Sequence, residues 1–292
     1  MSSLKNIIAL ALLSVLSIVQ PSYGQIKQKY IQSIHNDRIT IYEVLNSSGN
    51  LGHSVWINRT QNPNINAKYF ADKTNYQSVY NRYNKWKNDK TLITVFSGTF
   101  THDYTKPKGV TIDNGKIINR SIDNTMDGLV IVYQTGGIVV SDLSEANLKI
   151  PDKYTSKLLN IRDEFDKKKF FEFTQKDKAT VFQTQLLIYN NVLKCKPHNE
   201  YKERRFLILA KDKDDQILHI IFNIPKNVQL YEMAKELLVF FQNSDRTIIA
   251  MLNLDTGAND MMEVYNNDGS IIPALKGKKD ISKAINILSY YY

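Results

Sequence analysis

The chain has 292 residues, 38 Lys and Arg against 29 Asp and Glu, a formal net charge of +9, and a single cysteine, Cys195. One thiol excludes an intrachain disulfide, so stability has to come from a packed core. The lysines are dispersed apart from Lys167–Lys169 and Lys276–Lys279, and no basic face interleaved with aromatics accompanies them, so nucleic acid is not an expected partner.

Lys5, the apolar run Ile7–Val19 broken only by Ser14 and Ser17, and the small residues around Ser22-Tyr23-Gly24 read as a signal peptide over residues 1–24. The run is shorter than the roughly 20 residues that span a bilayer. No cysteine stands directly after it, and no later segment is apolar enough to cross a membrane. Residues 25–292 are therefore expected to form a single secreted or periplasmic bacterial domain without an integral membrane segment. Neither a linker nor a repeat divides them.

Ile39–Leu45 and Ser54–Ile57 read as strands around the turn Asn46–Gly52. Tyr76, Val79, Tyr80, Tyr83 and Trp86 fall on one face of a helix from Asn75 to Lys87. Leu92–Phe96 is a short buried strand ending at Ser97-Gly98, where glycine permits close approach of a ligand or positive φ. The loop after it carries His102, Asp103, Lys106 and Lys108, groups suited to binding an anion and transferring a proton. Hairpins are expected over Val110–Ile118 and Gly128–Ser141, and a charged helical excursion over Lys153–Lys169.

Thr180–Tyr189, Arg204–Lys211 and Gln216–Phe222 read as consecutive strands. Arg205 is a candidate phosphate clamp, because a guanidinium fork matches phosphate geometry and keeps its charge; Arg204 replaces it if the register is shifted by one. Leu230–Phe241 shows helical spacing, and the apolar run from Thr247 ends at Asp255, followed by a tight turn through Thr256, Gly257 and Asn259. A carboxylate therefore sits at a strand end. Met261–Tyr265 and Ser270–Leu275 read as a hairpin, and Lys276–Tyr292 as a last strand or short helix. His35, His53, His198 and His219 show no paired ligand spacing, so neither a metal nor a cofactor is expected. The pattern implies an α+β domain: a mixed, mostly antiparallel β-sheet system with two or three packed helices.

Several blocks, in order, resemble the phosphodiester glycosidase (uncovering-enzyme-like) family. They are Thr94-Val95-Phe96-Ser97-Gly98-Thr99-Phe100, Pro107-Lys108-Gly109-Val110, Asn114-Gly115-Lys116, Gln183-Thr184-Gln185-Leu186-Leu187-Ile188, Arg205, and Asn253-Leu254-Asp255-Thr256-Gly257. The resemblance implies hydrolysis of a glycosyl phosphodiester in an envelope or extracellular glycan, with a phosphorylated glycan or sugar phosphate as partner. Asp255 would be the base or charge stabiliser, Arg205 and Lys108 the phosphate holders and His102 an acid, with Ser97, Gly98, Thr256, Gly257 and Asn259 around the substrate. The chain departs from the family at Phe96, where it has Asn, at Thr256, where it has Gly, and at Asn259-Asp260. A non-catalytic glycan- or phosphate-binding relative is the alternative. Leu254-Asp255-Thr256-Gly257-Ala258 also resembles the aspartic protease signature, a third reading that requires a homodimer.

Overall fold

Along the strand Tyr201–Lys211, Phe206, Ile208 and Ala210 face one way while Leu207 and Leu209 face the other. That period-two alternation, with both sets apolar, calls for a sheet covered on both faces. The computed structural model, which describes residues 25–72, 78–103, 105–145, 148–150 and 158–292, contains that sheet. The expected signal segment 1–24 lies outside the described residues.

The large sheet runs in space as Lys27–Ile34, Ile39–Asn46, Gly49–Asn58, Ile217–Gln229, Tyr201–Lys211, Thr247–Leu254, Thr180–Tyr189, Gly128–Val132 and Ile138–Asp142, with short strands attached at its far end. A smaller sheet is ordered Met262–Val264, Leu92–Phe96, Ile287–Tyr291 and Asn66–Phe70. Pairing between strands is antiparallel throughout the described residues. The expected mostly antiparallel system is thus present; only its mixed character is corrected, since the one parallel contact among the described residues is the isolated bridge between Met261 and Lys279.

Three α-helices lie among the described residues: α1 (Val79–Lys87), α2 (Glu164–Lys176) and α3 (Leu230–Gln242). Met233, Ala234, Leu237 and Phe241 of α3 pack on Phe206, Ile208, Phe222 and Met251 of the large sheet, and Trp56 stacks on Phe241 at 5.7 Å. On the opposite face Val55, Leu207, Ile221 and Leu252 meet Ile93, Phe96, Leu288 and Tyr290 of the small sheet. Tyr69 and Phe182 stack between the sheets at 4.5 Å. Helix α1 covers the outer face of the small sheet through Val79 and Tyr83. The order is thus helix, large sheet, small sheet, helix. Each fully buried Phe or Leu in these layers contributes roughly 1.5–3 kcal/mol.

Where the structure moves an element, the cause is local. Helix α1 is capped by Ser78, whose side chain accepts from the Asn81 N–H; the expected start at Asn75 lies outside the described residues. Helix α2 replaces the expected helix over Lys153–Lys169, because Asp163 accepts from the Phe165 and Asp166 N–H groups at 3.0 Å and sets the N-terminus there. Its buried face is Phe170, Phe171 and Phe173, and residues 151–157 are outside the described set. Ser270–Leu275 forms a bridge at Ile271 and a 3-10 turn from Pro273 rather than a strand, since proline has no N–H for a ladder. The C-terminal segment resolves as the strand Ile287–Tyr291, inside the small sheet.

Gln183 ties the far end of the large sheet together. Its amide nitrogen donates to the carbonyls of Asp123, at 2.7 Å, and Met126, while its oxygen accepts from Val110 and Asp123 at 3.1 and 3.0 Å. A Cβ on Gly109 would lie 2.5 Å from that oxygen, so glycine is required beside it. Replacing Gln183 with Ala leaves these backbone groups without their partner and is expected to lower unfolding free energy by about 3 kcal/mol, read from guanidinium denaturation.

Candidate functional site

The antiparallel register places Arg205 opposite Leu254 and Gln185 opposite Asn253, which brings the end of Thr247–Leu254 beside the start of Tyr201–Lys211. There Asp255 leaves the sheet. Its N–H donates to the Gly98 carbonyl at 2.9 Å, so the turn after Leu92–Phe96 and the turn after Leu254 are locked together. Asn286 holds the first of these turns, accepting from the Gly98 N–H at 3.0 Å and donating to the Thr99 carbonyl at 2.9 Å. A Cβ on Gly98 would approach Tyr69 and Asn286 to 2.7 and 2.8 Å, so this glycine makes room for protein.

Beyond Asp255 the chain makes a 3-10 turn at Gly257–Asn259, with Gly257 at φ +67°. The turn carries Asp260 back under the sheet, where it meets Arg205 at 2.6 Å. Arg205 is fully buried. Its remaining donors go to Asn223 Oδ1 at 3.2 and 2.9 Å, the Met261 carbonyl at 3.0 Å, Ser97 Oγ at 3.4 Å and the Asp255 carbonyl at 3.5 Å. Burial pushes the Arg205 pKa down and the neighbouring Asp260 carboxylate pushes it back up. The fork expected to grip phosphate is therefore filled by protein, and Arg205 lies beneath the site as its scaffold.

Phe96, also fully buried, lies under the same guanidinium, with Arg205 Cζ 5.9 Å from its ring centre and Tyr290 6.4 Å away. It faces the core and takes no part in narrowing an opening. Ser97 donates to the Asn259 carbonyl and is likewise internal.

A cleft of about 900 Å³ opens above this scaffold. Asp255, Thr256, Gly257, Glu203, Arg204 and Gln185 form its inner wall. Residues between Lys194 and Lys202, together with Phe100, Asp127, Leu230 and Lys278, line it as well. Asp255 is 7% exposed, and its Oδ2 accepts from Asn259 Nδ2 at 2.6 Å. Burial raises its pKa to about 6, against the opposing pull of the Asn259 hydrogen bond and the Arg205 charge. It is thus a carboxyl poised to take or release a proton near neutrality. Thr256 Oγ1 donates to the Glu203 carbonyl at 2.8 Å, tying the turn to the neighbouring strand. The Asn259 N–H is used within the turn, on the Thr256 carbonyl at 3.2 Å, and is not free for a ligand.

The other expected residues stand apart. His102 occupies the small hairpin Thr101–His102 with Lys106–Pro107, its Nδ1 2.5 Å from Asp103, and does not line the cleft. Lys108 pairs with Asp123 at 3.2 Å and is also outside the lining. The basic residues that do line it are Lys194, Lys196, Lys202, Arg204 and Lys278. Lys194 is held by Asp142 and Glu145 at 2.8 and 2.7 Å, Lys202 by Glu200, and Lys278 by Glu203. Burial pushes the Cys195 thiol up to about 11, which keeps it protonated and unreactive.

Neither protein-family models nor curated proteins match this chain. Among solved structures it is similar to the catalytic domain of zebrafish N-acetylglucosamine-1-phosphodiester alpha-N-acetylglucosaminidase, auto-inhibited by its pro-peptide, at 13% identity and a TM-score of 0.47, over 92% of this chain and 88% of that one. It is also similar to a hypothetical protein from Synechocystis at 11% identity and a TM-score of 0.41, over 91% of this chain; it spans 62% of that protein's length.

Two stability experiments follow from this geometry. Arg205→Met leaves the Asp260 carboxylate buried without its partner and is expected to cost about 3–5 kcal/mol, part of which returns in the Arg205→Met/Asp260→Asn double variant. Asp255 behaves oppositely. Its folded pKa of about 6 lies above its ordinary 3.8, so the unfolded chain ionises first and stability falls as pH rises through that window. Asp255→Asn is expected to raise stability at pH 7 by up to about 3 kcal/mol, with the gain fading as pH falls toward 4, as read from denaturation at both pH values.

Proposed function

We propose that the protein hydrolyses glycosyl phosphodiester bonds in a secreted or periplasmic setting, acting on a phosphorylated glycan or sugar phosphate. The observation that carries this reading is Asp255: a strand-end carboxyl in the wall of the cleft, fixed by Asn259, with a pKa raised to about 6. The ordered sequence blocks around Gly98, Gln183 and Asp255 that resemble phosphodiester glycosidases support the same reaction class.

In this mechanism the Asp255 carboxylate takes a proton from water as the water oxygen bonds to the anomeric carbon. The bond from that carbon to the phosphate oxygen breaks, and the electron pair leaves with the phosphate monoester. Such a leaving group is stable as an anion, so it calls for a cation more than for an acid. His102, outside the cleft, is therefore not needed to protonate it. Asn259 orients the carboxyl, and burial keeps its proton affinity high enough for a base at neutral pH.

The test is hydrolysis of N-acetylglucosamine-1-phosphodiester and other glycosyl phosphodiesters by the purified protein. Turnover is expected to rise with pH through about 6 as Asp255 ionises. Asp255→Asn is expected to lower it by about a hundredfold or more. Unchanged turnover in that variant would remove Asp255 from the chemistry. A folded protein that binds phosphorylated glycans without turnover would instead be the binding relative.

A further inference from the structure

Arg204 and Arg205 are neighbours on one strand, and their surroundings are opposite. Arg205 has Asp260, Asn223, Ser97 and two carbonyls around its guanidinium. Arg204, only 6% exposed, has almost nothing. Its Nη2 reaches the Glu200 carbonyl at 3.3 Å and stands 3.6 Å from Glu200 Oε2, both long against the roughly 2.8 Å of a charge-assisted hydrogen bond. Its Nε is enclosed by protein with no hydrogen-bond partner among the described residues. Glu200 is itself shared with Lys202.

A buried guanidinium left this open is costly unless something completes it. Arg204 lines the cleft, so a ligand there can complete the Nη end of the guanidinium, while Nε stays enclosed by protein. Leu230, the first residue of α3, lines the same cleft, and no side chain caps that helix. The helix N-terminus adds partial positive charge to the same cleft. Of the lysines of the cleft, Lys194, Lys202 and Lys278 are each held by an acid, and Lys196 is a solvent-exposed side chain, whereas Arg204 is buried.

We propose that Arg204 is the anion-binding residue of the cleft, its guanidinium donating to two oxygens of a phosphoryl group. The assignment rests on the hydrolytic reading only for the role of that group, as the leaving phosphate; the anion site itself follows from the arginine. Phosphate ester and free phosphate share the chemistry, and the two are separated by the ligands used.

The experiment is calorimetric titration of the full protein with inorganic phosphate, methyl phosphate and N-acetylglucosamine-1-phosphate, with acetate as the non-tetrahedral control. Each phosphate is expected to bind, and the sugar phosphate to bind most tightly if the site serves an ester. Arg204→Gln is expected to weaken binding about tenfold or more, and Arg204→Lys, which keeps the charge but loses the fork, to weaken it too. Circular dichroism checks that each variant folds. Should Arg204→Gln not fold, Arg204→Lys carries the comparison, and a native protein that binds no phosphate overturns the proposal without any variant. Full-strength binding in folded Arg204→Lys also overturns it. Asp255→Asn separates the two readings: lost turnover with retained phosphate affinity supports both, whereas retained turnover with Arg204-dependent affinity leaves the anion site and removes the base.

Discussion

The Arg205–Asp260 ion pair is the constraint around which this end of the molecule is arranged. Both groups are essentially without solvent, and removing two charges from water is expensive unless their other hydrogen-bonding positions are filled. Here they are filled by pieces of chain far apart in sequence: Asn223 from one neighbouring strand, the Met261 carbonyl, and Ser97 from the small sheet. Asp260 also accepts from the Lys278 N–H at 3.2 Å, which draws in the C-terminal region. The pair fixes where the two sheets meet, and the position of Asp255 follows.

The consequence for chemistry is electrostatic. Asp255 sits above a positive charge that favours its ionised form, yet its pKa is raised, so desolvation outweighs the attraction. The attraction is diluted because Arg205 is already bound to Asp260 at 2.6 Å. With a neutral side chain at 260, more of the arginine's charge would act on Asp255, lowering its pKa and making it a weaker base. The ion pair therefore supplies rigidity while leaving the neighbouring carboxyl free to titrate near neutrality.

Much of this frame is legible in the sequence, because strand ends, turns and helical faces are local patterns. The run ending at Asp255, the helix from Leu230 and the hairpins after Val110 and Gly128 all follow from periodicity and turn chemistry. The roles of Arg204 and Arg205 are not local. Successive side chains on a strand face opposite ways, so a choice between them depends on which face is closed by the small sheet, and that is decided by residues some hundred positions away. Asn286 gave no signal either, since its function depends on Gly98 lying next to the C-terminal strand. The wall from 194 to 200 is a connection without periodicity, and only the folded cleft shows what it lines.

The residues at which the turn departs from the resembled family form a connected set. Thr256 bonds the Glu203 carbonyl, Asn259 bonds Asp255, and Asp260 neutralises Arg205. A small residue at 259 would leave the Asp255 carboxyl without its orienting amide, and a neutral one at 260 would leave a buried guanidinium unpaired. Each departure thus answers a need created by the surrounding fold, and together they hold the turn still. A carboxyl held in place before substrate arrives needs little reorganisation when charge develops, which is the property an acid–base site requires.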